Sequence, residues 1–484
     1  MSVPEIRSYI SGAWREGGMS AEDFNPARPT EVVARVQLAD AASAAEAVEA
    51  ARGAFPGWRN LPAPARGEIL RKAADLLDQR AETIGREFTR EEGKTLAEAI
   101  GETRRAVGIL RYFAGQTLEP DGETYPSHSA TTLLYARRGP VGVVLVITPW
   151  NFPMAIPAWK IAPALAYGNT VVWKPAELVP LTSVRLVEAL LDAGVPAGVL
   201  NLVLGKSATV GDALVANDGV DAITFTGSNA AGRSIQVRGT ERGKKVQLEL
   251  GGKNPAIVLA DADLSHAAEQ VARGAFLSSG QKCTATSRVI VEAPAFQEFA
   301  ERLVSIARVW KVGDPLEPDT RVGPVVSEDR LKAVMGFFQG DGDGRGRLLC
   351  GGSRAEELGD GYYMRPTVVS EVDPQARLAR EEIFGPVAAL MPAKTYADAI
   401  RLANDTPFGL TASIFTRSLN KALRFASEIE AGVVKVNQET AGLEFQVPFG
   451  GMKDSSSGSR EQGKAAREFF TQWKTVYLDP SPGQ

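Results

Sequence analysis

The chain opens on short strand-like segments, after which Ala, Leu, Val and Ile recur at helical spacing among Glu, Arg and Lys from residue 41 to 118. That spacing predicts a helical block, interrupted by a turn at Pro56, Pro62 and Pro64. From Val141 the pattern changes to short, almost wholly apolar runs: VGVVLVI, NTVVWK, GVLNLVLG, DAITFTG and KVQLEL, with helical stretches between them. Strands that are apolar on both faces and alternate with helices predict a parallel sheet covered on both sides. A second set, NPAIVL, SRVIVE and GVVKVN, predicts a second α/β unit. SSSGS at 455–459 reads as a loop, whereas EFFTQWKTVYL near the end has strand character.

At 484 residues the chain exceeds what one hydrophobic core usually serves, so more than one domain is expected. Its composition, 44% hydrophobic and 23% charged, is that of a folded enzyme and not of a disordered chain. A formal charge of -4 leaves no broad basic field, so neither nucleic acid nor a membrane surface is an expected partner. No basic segment precedes an apolar run at the start, and the apolar runs are far shorter than the ~20 residues of a spanning helix, so a cytoplasmic enzyme acting on a small molecule is expected. Two cysteines and two histidines exclude a disulfide framework and leave little for a metal site or a Ser-His-Asp triad, so no metal is expected.

Three segments carry candidate chemistry. Cys283, in FLSSGQKCTATSRVIVE, follows a small-residue turn that can expose a thiol, and Lys282 beside it could favour the thiolate. Cys350, between two leucines and two glycines, has no candidate base and reads as a small apolar side chain. Glu249 ends a strand before two glycines that let the backbone approach a ligand, a position from which a carboxylate could activate water. Asn151 sits in a turn stiffened by two prolines, where a fixed amide suits an oxyanion.

ITPWNFP at 147–153, FTGS at 225–228, ELGGK at 249–253, GQKC at 280–283, EEIFGP at 381–386 and PFGG at 448–451, in this order, together resemble the aldehyde dehydrogenase superfamily over nearly the whole chain. The resemblance implies that family's fold: a Rossmann-like cofactor domain from 1–118 and 141–251, an α/β catalytic domain from 252–454, and a small β oligomerisation element from 119–140 and 465–484. It implies oxidation of an aldehyde to an acid, with Cys283 as nucleophile, Glu249 as general base, and the Asn151 amide and the Cys283 N–H as oxyanion donors.

For the cofactor, NAD or NADP, the resemblance points to Gly227, Ser228 and Gly232 in GSNAAG for the pyrophosphate, since a regular GxGxxG is missing. Lys174 and Glu177 in WKPAE would reach the adenine ribose, and Glu177 favours NAD because a carboxylate repels a 2′-phosphate. Glu382 and Phe384 would hold the nicotinamide ribose and ring, and Ile147, Pro149, Trp150 and Leu250 would complete the pocket. SSGQKCTATSR at 278–288 and the segment 439–463 resemble the members acting on α-ketoglutaric semialdehyde (2,5-dioxopentanoate). Lys282 and Thr284 then become candidates for a distal carboxylate, and Phe152, Leu443 and Phe449 for the apolar wall. Succinate or glutamate semialdehyde or a general aldehyde are the alternative substrates, and a CoA-acylating enzyme or a silent relative the alternative functions. Family members form homodimers or homotetramers, and the terminal strand would be an exposed edge in a monomer.

Overall fold

The computed structural model describes residues 3–338 and 346–480, so the extreme ends of the expected 1–118 and 465–484 segments and residues 339–345 of 252–454 lie outside the described residues. The predicted helical block forms four helices, Ala41–Asn60, Ala63–Gln79, Ala81–Glu92 and Leu96–Gln116. The last begins at a capping box in which Thr95 and Glu98 satisfy each other's backbone N–H groups.

The five apolar runs after Val141 become the centre of an eight-stranded sheet, in the order 456–457, 245–249, 222–226, 143–147, 170–174, 200–202, 8–10 and 13–15. The five inner strands are mutually parallel, and the flanking ones antiparallel. Successive side chains point to opposite faces of a strand. Val144, Val146, Val171 and Trp173 therefore enter one core with helices 96–116 and Ala155–Ala166, while Val143, Leu145 and Val172 enter another with helix 41–60.

The chain runs from strand 143–147 outward through 170–174 and 200–202, then returns to lay 222–226 and 245–249 on the opposite side. Such a reversal opens a crevice at the carboxyl ends of 143–147 and 222–226, where ligands of doubly wound sheets bind. ITPWN and TGS lie at those two ends.

A seven-stranded sheet follows, in the order 347–350, 367–370, 387–393, 286–292, 254–258, 411–415 and 433–436, parallel except for its first pair. The sequence pattern picked out three of these strands; 347–350, 367–370, 387–393 and 411–415 complete the sheet. Residues 122–125, 133–140 and 471–478 form a separate antiparallel sheet, the last two paired from Thr471 with Pro140 to Leu478 with Leu133.

Three readings of the sequence are corrected. Pro56 makes no turn but lies inside helix Ala41–Asn60, so the break falls at Leu61 and Pro62. Glu468 to Phe470 end helix Ala466–Phe470, and the terminal strand starts only at Thr471. SSSGS is not simply a loop: Ser456 and Ser457 pair antiparallel with Glu249 and Leu248, at the free edge of the first sheet. Ser and Gly carry no strand signal, so only the available edge makes this segment extend. Among the described residues no helix is long and apolar enough to cross a membrane, and no cluster of metal-binding side chains occurs.

Candidate active site

Cys283 lies in a turn between helix Leu264–Phe276 and strand Thr286–Glu292, built from backbone that side chains rarely adopt. Ser278 and Ser279 have φ of 53° and 52°, and Gly280 follows at +67°. A Cβ on Gly280 would stand 2.1 Å from the Gly385 carbonyl oxygen, so only glycine fits there. The strain is held by polar contacts: Glu98 Oε1 accepts from the Ser278 N–H at 2.7 Å, and Ser279 Oγ donates to the Gly323 carbonyl at 2.8 Å. Beyond the thiol, Asn254 Nδ2 donates to the carbonyls of Cys283 and Ala285 at 2.7 and 2.9 Å. Thr440 Oγ1 donates to the Thr284 carbonyl at 2.7 Å.

Cys283 is partly exposed and, like Phe152 and Leu443, packs at the margin of the first core. Burial, and then the nearby carboxylates Glu382 and Glu249, push its pKa up to about 12, while the N–H groups of Thr284 and Cys283 itself pull the other way. As the site stands, sulfur holds its proton. Lys282 is buried; its ammonium donates to the Arg273 carbonyl at 3.1 Å, and its nearest compensating charge is Glu439. The charges that govern the thiol are thus the two carboxylates.

Asn151 is buried, and its Nδ2 donates to the Gln281 carbonyl at 3.0 Å, which places its amide beside the Cys283 turn and leaves the second N–H of that amide free. The turn that carries it is fixed by a buried ion pair. Lys94 donates to Glu102 Oε2 at 2.7 Å and to the Asn151 carbonyl, while Glu102 Oε1 accepts from the Met154 and Ala155 N–H groups at 3.0 and 3.1 Å. The same ammonium stands 3.8 Å above the Phe152 ring.

Glu249 is buried. One carboxylate oxygen accepts from Ser456 Oγ at 2.7 Å, and Oε1 has no hydrogen-bond partner. Burial, then the charge of Glu461, raise its pKa well above the carboxylate range, and Ser456 opposes them. Glu461 is itself buried, ion-paired with Lys160 and bonded to Trp159 Nε1 at 2.7 Å. Gly450 clears space for Glu249: a Cβ there would stand 2.6 Å from Oε1. Phe449 beside it is buried edge-on against Trp159, with ring centroids 5.9 Å apart.

The crevice side holds the expected cofactor residues. Ile147, Pro149 and Trp150 are partly exposed at the end of their strand. The Gly227 N–H donates to the Glu249 carbonyl at 3.1 Å, Ser228 caps helix Asn229–Thr240, and Gly232 lets Leu250 pack closely, since a Cβ would meet it at 2.5 Å. Glu382 Oε1 accepts from the Gly252 N–H at 3.0 Å, and burial lifts its pKa to about 7. Phe384, at a φ of 56°, meets Trp150 edge-on at 5.4 Å. Farther along the sheet, Glu177 Oε1 accepts from the Ser207 N–H at 2.8 Å, and the buried Lys174 donates to the Pro175 carbonyl at 3.0 Å. Cys350 lies apart on edge strand Arg347–Cys350, its sulfur 3.9 Å from the Pro366 carbonyl.

Sequence reasoning missed Glu102, Lys94, Asn254, Ser456 and Glu461. A charge on an otherwise apolar helix face would have marked Glu102, among Ala99, Thr103 and Ala106, and Lys160 in AIPAWKIAPALA. Ser456 and Glu461 carry no local signal.

Residues 14–476 match the model of the Aldehyde dehydrogenase family. An α-ketoglutaric semialdehyde dehydrogenase of Bacillus subtilis is 47% identical over 98% of each chain. An α-ketoglutarate semialdehyde dehydrogenase of Haloferax volcanii is 45% identical over 97% of this chain and 98% of its own. The crystal structure of betaine aldehyde dehydrogenase from Staphylococcus aureus in complex with NAD+ superposes with a TM-score of 0.94 at 34% identity, covering 99% of this chain and 96% of that one. With a match across nearly its whole length and the family's motifs gathered around Cys283, the chain belongs to the aldehyde dehydrogenase family.

Proposed function

We propose that the protein oxidises a short semialdehyde with a distal carboxylate, α-ketoglutaric semialdehyde, to the dicarboxylate through a thioester on Cys283, using NAD. The observation that carries the chemistry is the grouping of the partly exposed Cys283, the Asn151 amide bonded to its turn with one N–H free, and the buried Glu249 carboxylate, whose charge acts on the thiol and whose Oε1 is unpartnered. The substrate rests on the names of the two relatives above.

Cys283 releases its proton to water as sulfur attacks the aldehyde carbon, and the oxygen that becomes negative is held by Asn151 Nδ2 and the Cys283 N–H. Preorganised donors of this kind contribute ~3 to 4 kcal/mol each in other oxyanion holes. NAD, when bound, takes the hydride that leaves the thiohemiacetal carbon. Glu249 then draws a proton from water, the water oxygen bonds the acyl carbon, the C–S bond breaks, and Glu249 returns the proton to the departing sulfur, which restores the Cys283 thiol and releases the acid. The site that would hold NAD fits it: Ser228 caps the N-terminus of helix 229–240 just past strand 222–226, where it would receive the pyrophosphate, and Glu382, whose charge acts on Cys283, and Phe384, set against Trp150, would hold the nicotinamide end. Glu177 would accept from a ribose 2′-hydroxyl and repel a 2′-phosphate, which favours NAD over NADP.

The enzyme is proposed to act in the cytoplasm as a homodimer or homotetramer. Strand 471–478 is the edge of its sheet and exposes Trp473, Tyr477 and Leu478, a surface suited to cover by a second copy. The test is NADH formation without CoA across a panel of acidic and uncharged aldehydes. Highest kcat/KM on α-ketoglutaric semialdehyde is expected, and a dependence on CoA would overturn the hydrolytic reading.

A further inference from the structure

We propose that Arg105, on helix 96–116, is the residue that receives the distal carboxylate of the substrate, through a guanidinium edge that the protein leaves without a partner. The proposal rests on the reading of the substrate as a semialdehyde that carries such a carboxylate.

Arg105 reaches from the helix to the 439–445 segment, where Nη1 donates to the Leu443 carbonyl; Nη2 is buried with no hydrogen-bond partner at all. Its surroundings belong to the site and not to a remote surface. Leu443, Phe445, Phe152 and Cys283 all pack at the margin of the same core. One turn along the helix, Gly108 lies against the Phe445 ring, where a Cβ would stand 2.8 Å from a ring carbon, and Tyr112 meets that ring at 6.1 Å. One turn back, Glu102 holds the loop that carries Phe152. Arg105 thus ties the 443 segment to the helix whose Glu102 holds the 152 loop, and both segments border the core against which Cys283 packs.

The charge balance there is incomplete. Two carboxylates lie near Arg105, Glu102 and Glu444, and neither bonds it. Both Glu102 oxygens are occupied, by Lys94 and by two backbone N–H groups, while Glu444 is exposed and bonds Gln446 at 3.4 Å. A guanidinium held away from water without a carboxylate partner is costly, and its planar edge matches a carboxylate in two parallel hydrogen bonds. Lys282, the other nearby cation, is already committed to the Arg273 carbonyl and the field of Glu439. Lys435, the third, donates to the carbonyls of Ala441 and Gly442. Arg273, a fourth, pairs with Glu439 at 3.8 Å; among these cations around the loop, Arg105 alone has a buried nitrogen with no hydrogen-bond partner.

The experiment compares kcat/KM for α-ketoglutaric semialdehyde with that for an uncharged aldehyde of similar length, in wild type and in Arg105→Met, Arg105→Lys and Lys282→Met. A lost hydrogen bond to a charged group corresponds to a fall of about 10- to 150-fold in the acidic-to-neutral ratio for Arg105→Met, borne mainly by KM. Arg105→Lys should recover part of the ratio, because it restores the charge without the planar edge. Equal losses on both aldehydes would reduce Arg105 to a support of the 443 loop and overturn the proposal, as would an unchanged ratio. Loss of the ratio in Lys282→Met with retention in Arg105→Met would assign the anchor to Lys282 instead. A wild type that does not prefer the acidic aldehyde would overturn the substrate reading itself, an outcome visible before any variant is made. Thermal melts of each variant separate misfolding from lost recognition.

Discussion

Replacing Ser456 by Ala removes the one hydrogen bond that the Glu249 carboxylate receives, and the consequence follows from which protonation state that bond favours. A hydroxyl donor stabilises the carboxylate more than the carboxylic acid, and hydrogen bonds to charged groups contribute about 1.5 to 3 kcal/mol against about 1 for neutral pairs. The difference, roughly 0.5 to 2 kcal/mol, is about 0.4 to 1.5 pKa units, centred near one. Burial and Glu461 already raise Glu249 well above its ordinary range, and Ser456 is the first opposing influence, so its loss drives the pKa farther up. The base form, which takes a proton from water, then appears only at higher pH. The assay is acid release from preformed thioester as a function of pH. The rising limb should move up by about one unit in Ser456→Ala, with a roughly tenfold slower rate below it and a rate near wild type above it. Glu249→Gln marks the limit: an NADH burst followed by slow release at every pH. A Ser456→Ala profile with an unshifted midpoint, or one lowered equally at all pH values, would refute the assignment of Glu249 as the titrating base.

Three further outcomes are expected. Cys283→Ala should abolish turnover while NAD binding, followed by fluorescence titration, persists; Cys350→Ala should stay active. Gly450→Ala places a methyl group 2.6 Å from Glu249 Oε1 and 2.8 Å from Arg460 Cδ, so thioester hydrolysis should slow and the folded state lose about 1 to 3 kcal/mol of stability in denaturant melts. Glu102→Ala strips the buried Lys94 of its shorter ion pair, leaving only Glu92 at 4.0 Å, and the 154–155 N–H groups of their acceptor, which should cost about 3 to 5 kcal/mol of stability and misplace Asn151.

The fold class and the principal site residues were legible because each left a local mark. Runs such as VVLVI and TVVWK have to be buried on both faces, which only a covered parallel sheet provides, and PWN, ELGG and GQKC each combine a reactive side chain with a backbone that has to turn sharply. What remained hidden depends on segments far apart in sequence. Ser456 becomes a strand and a donor to Glu249 only because the edge of the first sheet is open beside it, 207 positions from the residue it serves. The pairing of Glu102 with Lys94 looks from the sequence like ordinary helix charge, and burial turns it into the brace for the Asn151 loop. Lys282 adjoins Cys283 along the chain, yet neighbours in sequence project in different directions from a tight turn, and its ammonium goes to Arg273. The thiol's state was equally beyond the sequence: its pKa follows from the desolvation and the two carboxylates, Glu382 and Glu249, that the meeting of both sheets brings to it. Local sequence determines which chemistry is available and which elements form, because both depend on near neighbours. Long-range packing decides protonation, orientation and pairing, because these depend on which charges and backbone groups arrive from elsewhere in the chain.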